Sequence, residues 1–389
     1  TSMRDIASPA ERRSWRRRTF LKSCGAAAAA AFAVPAARAA AAEPEFRPFA
    51  EYAEVPATLR RRRHELRILG SAPDGSPLVA VRCGGKKLPA IFISGGAHST
   101  EHAGALATVE VVDRLETEHV VWVVPARDPV GLGGFRHALT LGLGRPPKLE
   151  SADDVDDFLR THGEVLVDAD GIVLTLIGEH GYANQNLLQK IAKGSPPLEP
   201  LRGRRIWCAS RRTDTPGSGP LERAYTLIVS PEGEVLHLNR FHDTRWAPAE
   251  VRAVRTLMAE IKPALTFDLH EHDHGPFFWM SARKQRTEDD EIWERRMATE
   301  AARAVAATGS DLAPDSYSPG SFFERLERGV FWLDPGKRGE GLNLVDLAAR
   351  HYGPGFTIET GMQCPFDERV NQHLRVVETA VRVFERRYA

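Results

Sequence analysis

Cysteine is nearly missing from this chain. Four occur among 389 residues, at positions 24, 83, 208 and 364. None belongs to a Cys-x-x-Cys pair, so a thiolate zinc site is excluded. Cys83, Cys208 and Cys364 are too few and too far apart for a disulfide framework, and one bridge is the most they could form. A basic excess is missing as well: Lys and Arg number 52, and so do Asp and Glu. The charge is uneven, with eight Lys/Arg against two acids in residues 1–42, which leaves the remainder mildly acidic. Such a body lacks the cationic footprint that nucleic acid requires. The apolar stretch Ala26 to Val34 is too short to cross a bilayer, so a stable membrane anchor is not expected.

The first 42 residues read as an export signal. Arg17-Arg18-Thr19-Phe20-Leu21-Lys22 looks like a twin-arginine sequence, followed by the Ala-rich stretch and a small-x-small pattern, Ala37-Arg38-Ala39. The expectation is export to the periplasm or outside the cell, with the twin-arginine translocase as a transient partner. The body, 43–389, has 42% hydrophobic residues behind it, enough for a sizeable core.

Strands alternate with helices over much of that body. His64 to Cys83 reads as two strands around Ala72-Pro-Asp-Gly75, and Pro89 to Ser94 as a short apolar strand leading to a helix from about Thr100. Val120 to Val124 and Ala264 to Leu269 read as buried strands. Ala247 to Ile261, Thr287 to Thr308 and Asp367 to Tyr388 read as helices, and Phe356 to Glu359 as a late strand. This alternation predicts an α/β sheet covered on both faces. From about 132 to 236 the rhythm breaks. The hairpins 164–177 and 225–238, the helix from Val155 and the loops 193–200 and 213–220 read as an insertion on the main domain.

His98 and Glu101 stand three apart just after a strand, and His270 ends a later strand. Two imidazoles and one carboxylate leave a fourth zinc position open, as catalysis needs. Glu359 closes a buried apolar run, a costly place for a charge without a duty. It could pass a proton from water to a leaving amine. Asn239-Arg240 follows an apolar strand, and an arginine there can grip a carboxylate through two parallel hydrogen bonds.

In that order, His98-x-x-Glu101, Asn239-Arg240, His270 and Glu359 resemble the zinc carboxypeptidases of the carboxypeptidase A type. Leu69 to Pro77, Pro125 to Gly131 and Pro248-Ala-Glu250 extend the resemblance, which covers roughly 60–131 and 235–389 and leaves the insertion unmatched. It implies a single α/β domain with a mixed, mostly parallel sheet of about eight strands between helices. It also implies one Zn2+ on His98, Glu101 and His270. Glu359 would be the general base and acid, and Asn239 and Arg240 would hold the free carboxylate of a peptide or small amide.

The sequence departs from the family in several places. The residue two before Asn239 is His237 where the family often has an Asp supporting a zinc ligand. Arg136 and Arg145 are the candidates for an oxyanion-binding arginine. No Tyr occurs near Lys337 and Arg338, where the family's mobile Tyr would fall. Side-chain choice would lie near Leu344-Val345-Asp346, with Val345 suiting an apolar and Asp346 a basic side chain. Thr100 stands where a second binding arginine would be. Glu271-His-Asp-His274 reads as a polar pocket wall, with a second metal at His272 and His274 as its alternative, and Glu179-His180 as a solvated loop pair. The resulting expectation is a zinc-dependent hydrolase that removes a C-terminal residue. The alternatives are a deacylase of small N-acyl amino acids, resembling the aspartoacylase and succinylglutamate desuccinylase group, and a non-catalytic binding homologue.

Overall fold

A strand with no polar face belongs where both faces are covered. Ala90 to Ile93 is such a run, and every residue in it is buried. It lies at the centre of a nine-stranded sheet in a computed structural model that describes residues 46–210, 221–334 and 341–389. The expected export segment, the loop 213–220 and Lys337 and Arg338 fall outside the described residues.

The strands in chain order are β1 (Leu66–Ser71), β2 (Pro77–Gly84), β3 (Lys87–Gly95), β4 (His119–Val124), β5 (Glu164–Ala169), β6 (Ile172–Ile177), β7 (His180–Ala183), β8 (Arg205–Ala209), β9 (Ala224–Val229), β10 (Val235–His237), β11 (Leu265–His272), β12 (Trp279–Arg283), β13 (Phe323–Glu327), β14 (Val330–Leu333) and β15 (Gly355–Gly361). The helices are α1 (Glu54–Arg61), α2 (His102–Arg114), α3 (Pro129–Leu132), α4 (Gly134–Leu143), α5 (Val155–His162), α6 (Ala249–Ile261), α7 (Glu288–Ala306), α8 (Leu344–His351) and α9 (Phe366–Arg387).

The main sheet runs β1-β2-β4-β3-β11-β15-β12-β14-β13. Its centre, β4-β3-β11-β15, is parallel, while β1, β2, β12 and β13 each join through antiparallel pairings. Helices α2, α7 and α9 pack their apolar residues on one face, against Phe267 and Leu269. Helices α6 and α8 cover the other, against Phe92 and Val124. The mixed α/β sheet between helices is thus as expected, with nine strands rather than about eight. Strands β12 and β13 carry Arg283, Glu324, Arg325 and Glu327, and so show neither clean alternation nor an apolar run.

The region read as an insertion builds a second sheet of six strands, β10-β9-β8-β7-β6-β5. Both expected hairpins are there, β5–β6 and β9–β10. One face packs on α4 and α5 through Phe135, Leu139, Phe158 and Leu159. The other closes over Leu187, Leu198 and Leu201. The stretch 193–200, read as a loop, contains most of a 3-10 helix, Pro196–Leu201. His180 is a sheet residue with its ring edge-on to Trp207 at 4.8 Å, and only its neighbour Glu179 is exposed. The cysteines at 83, 208 and 364 are free.

Glu294 of α7 is buried and ties this helix to the sheet, accepting from Gln285 Nε2 at 2.7 Å and from the backbone N–H groups of Arg283 and Gly355. Burial pushes its pKa from the ordinary 4.5 up to about 8, outweighing these hydrogen bonds. The folded protein therefore keeps a proton that the unfolded chain has released. The stability this contributes is complete below the unfolded pKa of 4.5 and is lost as pH rises through 8. Glu294→Gln should accordingly raise Tm relative to wild type by more at about pH 9 than at about pH 5. An equal offset at both pH values would show that Glu294 does not titrate in this range.

Candidate metal centre and its cleft

The main sheet brings the histidine segments together through close backbone packing. Gly96 follows β3 with φ at +58°, a conformation that suits glycine, and turns the chain toward α2. Helix α2 then lies against β11 with no side chain between them, since a Cβ on Gly104 would come within 2.7 Å of the Leu269 carbonyl oxygen. Glu101, at the N-cap of α2, consequently reaches the end of β11. Its carboxylate spans both imidazoles, with Oε1 2.6 Å from His98 Nδ1 and Oε2 2.8 Å from His270 Nδ1. Glu101 and His270 are buried and His98 is half-buried. One donor atom from each lies within 4.8 Å of the others, a group that could hold a metal ion. Two imidazoles, one carboxylate and their enclosure fit a zinc ion with an open position. Among the described residues no second such group occurs.

Each imidazole has its other nitrogen held. His98 Nε2 lies 2.7 Å from His237 Nδ1, so the His237 ring holds that of His98 on the side away from Glu101. His270 Nε2 lies 2.9 Å from Asp268 Oδ2, a carboxylate two residues earlier on the same strand and hence on the same face. Asp268 is in turn held by Arg127 Nη2 at 2.5 Å and by Asn239 Nδ2 at 2.9 Å. Asn239 Oδ1 accepts from Arg127 Nη1 and from the backbone N–H of Leu344, both at 3.1 Å. Asn239 Nδ2 also lies 3.3 Å from His270 Nε2, so the amide sits against both Asp268 and the ring that Asp268 holds.

Burial disfavours the charge on Glu101, but His98 and His270 outweigh it and hold its pKa down at about 2. Burial likewise disfavours the His270 cation, yet Asp268 and Glu101 raise its pKa well above the ordinary value. Glu359 sits beside His270 because β15 pairs with β11 in parallel, with these two residues in register. Burial, reinforced by Glu101, Asp268 and Glu271 against the opposing pull of His270, pushes its pKa up to about 8.

These residues open on one cavity of about 870 Å3, which Asn239 and Arg240 also line. Its opposite wall comes from the second sheet and its loops: Tyr225, Arg223, Ala209 and the segment around Asn186. Tyr225 places its ring 5.3 Å from that of His98. Ser99 Oγ donates to the Ala224 carbonyl, joining the two sheets beside the centre. Thr100 lines the cavity, whereas Arg136 and Arg145 do not. Arg136 is bonded instead to Glu222 and to the carbonyls of Leu149 and Glu150, and Arg145 is exposed. The arginine found at the cavity on that side is Arg223. His272 and His274 line the cavity rim, with His272 Nε2 on the Phe277 carbonyl, while Glu271 points to the opposite sheet face.

Asp268, Arg127, Arg223 and Tyr225 were not expected from the sequence. Asp268 had a readable signal, an acid in a buried strand at even spacing from His270. Tyr225 and Arg223 had none, lying in the stretch that interrupts the pattern.

No family model and no curated protein matches the chain. Solved structures that align with it include a candidate metallopeptidase from Shewanella denitrificans OS217, at 13% identity over 85% of this chain and 87% of that one, TM-score 0.48. A metallo-carboxypeptidase from Burkholderia cenocepacia aligns at 11% identity over 87% and 68%, TM-score 0.47. Carboxypeptidase A from Helicoverpa armigera aligns at 10% identity over 86% and 73%, TM-score 0.43. Alignments this distant carry no argument about chemistry, which rests on the residues themselves.

Three outcomes test the centre. His270→Ala should lose metal, read as zinc content after dialysis, and Asp268→Asn should weaken zinc affinity about 10–100-fold. Because His270 holds a proton in the metal-free protein, zinc binding near neutral pH should release protons. Calorimetry in buffers of different ionisation enthalpy would read this, and a buffer-independent heat would contradict it.

Proposed function

We propose that this chain is a metal-dependent peptidase, a zinc carboxypeptidase that removes the C-terminal residue from a peptide or peptide-like substrate. The observation that carries the reading is one register. Glu359 stands directly beside His270, which shares Glu101 with His98, and Arg240 lines the same cavity. A proton-transfer group, a metal-binding group and a carboxylate-binding group thus meet in one cleft.

Bound by His98, Glu101 and His270, a single zinc ion would supply a Lewis acid for the scissile carbonyl and the attacking water. The chain's own residues do the rest. Arg240, with Asn239 beside it in the cavity wall, holds the terminal carboxylate and thereby fixes which amide reaches Glu359. Glu359 takes a proton from the attacking water and gives it to the leaving amine. A pKa raised by burial suits a group that must both accept and donate near neutrality. His237 and Asp268 hold the imidazole rings in position. Arg223 and Tyr225 add a cation and a hydroxyl to the opposite wall, where charge develops on the carbonyl oxygen. Export through residues 1–42 belongs to the same proposal and would put the substrate outside the cytoplasm.

One observation favours a second reading. The second sheet walls the cleft on one side, which would suit a small N-acyl amino acid better than a long peptide. A mixed peptide pool incubated with the zinc-loaded protein, with products read by mass spectrometry, separates the two. Stepwise loss of C-terminal residues, stopped by a chelator and restored by zinc, supports the carboxypeptidase. Cleavage of N-acyl amino acids alone supports the deacylase.

Glu359→Gln should keep its zinc and lower kcat by at least about 10²–10⁴-fold, the range for losing a positioned acid–base group. Retained turnover would remove Glu359 from the mechanism. Arg240→Ala should raise KM for peptides with a free terminal carboxylate and leave amidated peptides unaffected, and an equal response of both would void the clamp.

A further inference from the structure

Asn239 lines the cavity next to Arg240, yet its amide is engaged within the protein. The residue is buried in the middle of a three-residue turn, pinned on both sides by Leu238 and Phe241, which pack with Ile228 and Val251. Its oxygen holds two donors at 3.1 Å, Arg127 Nη1 and the backbone N–H of Leu344. Leu344 opens α8, whose start is fixed by the capping box of Asn343 and Asp346. An amide oxygen has two lone pairs, and both are thereby taken. The amide nitrogen lies 2.9 Å from Asp268 Oδ2 and 3.3 Å from His270 Nε2. Arg240 meets a different part of the same residue, its Nη1 donating to the Asn239 main-chain carbonyl at 2.9 Å.

Asp268 has two oxygens and three claimants. Oδ1 accepts from Arg127 Nη2 at 2.5 Å, while Oδ2 faces both Asn239 Nδ2 and His270 Nε2, each at 2.9 Å. A guanidinium beside a buried carboxylate can take both oxygens in two parallel bonds. Here the second prong of that fork, Arg127 Nη1, is held by Asn239 Oδ1 and meets His242 Nε2 at 3.3 Å. Asn239 Nδ2 in turn donates to the oxygen that prong would have taken. The amide therefore stands between Arg127 and Asp268 and leaves Oδ2 turned to the His270 ring, whose Nδ1 faces Glu101. Without the amide, Asp268 would be free to turn into a two-bond pair with Arg127 and withdraw from the ring.

We propose that Asn239 is a positioning residue of the metal centre, and that of the Asn239–Arg240 pair it is Arg240 that grips the terminal carboxylate. The side chain of Asn239 keeps Asp268 on His270, and its main-chain carbonyl holds Arg240, so one residue sets the metal ligand and the carboxylate clamp in a fixed relation. The role of Arg240 rests on the carboxypeptidase reading, whereas that of Asn239 stands on the metal-binding group itself.

The test compares zinc affinity, measured on the metal-free protein by competition with a chelator, for wild type, Asn239→Ala, Asp268→Asn and the double variant. Asn239→Ala should weaken zinc binding about 10–100-fold, as loss of a partner behind a ligand does. Because Asn239 acts through Asp268, the double variant should fall short of the product of the two single losses by about 10-fold or more. An unchanged affinity in Asn239→Ala would overturn the proposal. So would a double-variant loss equal to the product, which is what a general loosening of the fold gives. On the zinc-saturated protein, Asn239→Ala should lower kcat/KM for free and amidated peptides by one common factor of about 10–100. A loss confined to peptides with a free carboxylate would repeat the Arg240→Ala pattern and return Asn239 to substrate binding. If no peptide is cut, the carboxypeptidase reading fails and the zinc comparison alone decides the role of Asn239. Asn239→Ser, which keeps a hydroxyl among the same partners, replaces the alanine variant under the same criteria if that one does not fold.

Discussion

Buried acids on β11 are the constraint from which this site follows. The strand carries Asp268 and His270 toward α6 and α8 and Glu271 toward α2 and α9, all within a fully buried segment. A carboxylate left there without partners would cost several kcal/mol, so each recruits a different part of the chain. Asp268 draws in Arg127 from the end of β4 and Asn239 from the turn after β10. Glu271 takes the Ala103 N–H at the start of α2 at 2.8 Å and pairs with Arg369 of α9 at 2.5 Å. The bond to α2 also suits the positive end of that helix. Satisfying these charges fixes α2 against β11, and with it the distance from Glu101 to His270.

The second sheet belongs to the same arrangement. Its edge strand β10 ends in His237, which holds His98, and the next turn supplies Asn239 and Arg240. Strand β9 adds Tyr225 on the open side of the cleft. What interrupts the strand–helix rhythm in sequence therefore forms one wall and part of the support of the centre. The cleft walls and the partners of the two imidazoles are shared between two sheets that pack separate cores.

Much of this was legible in the sequence, for identifiable reasons. The strands at Ala90 and Val120 showed because residues buried on both faces leave unbroken apolar runs. His98, Glu101, His270 and Glu359 showed because each follows such a run. Strands β12 and β13 were hidden by their charges; Arg283 of β12 is buried as the partner of Asp346, 63 residues later. His237 was a source of doubt in the sequence, because nothing local shows that its ring meets His98 from 139 positions away. Arg223 and Tyr225 act through the packing of one sheet on another, and no local periodicity reports that.

The bond between Glu101 and His270 closes a loop of 169 positions, and the whole second sheet lies inside it. An ion held by both ends would be a cross-link across that loop. In the chain-entropy account, tying off a loop longer than 100 residues is worth on the order of 5 kcal/mol, as much as a long-range disulfide. With three free cysteines in the described residues, the metal would be the staple this body otherwise lacks. Removing it would loosen the second sheet as well as the cleft, so metal loss would register as lowered resistance to unfolding far from the ligands.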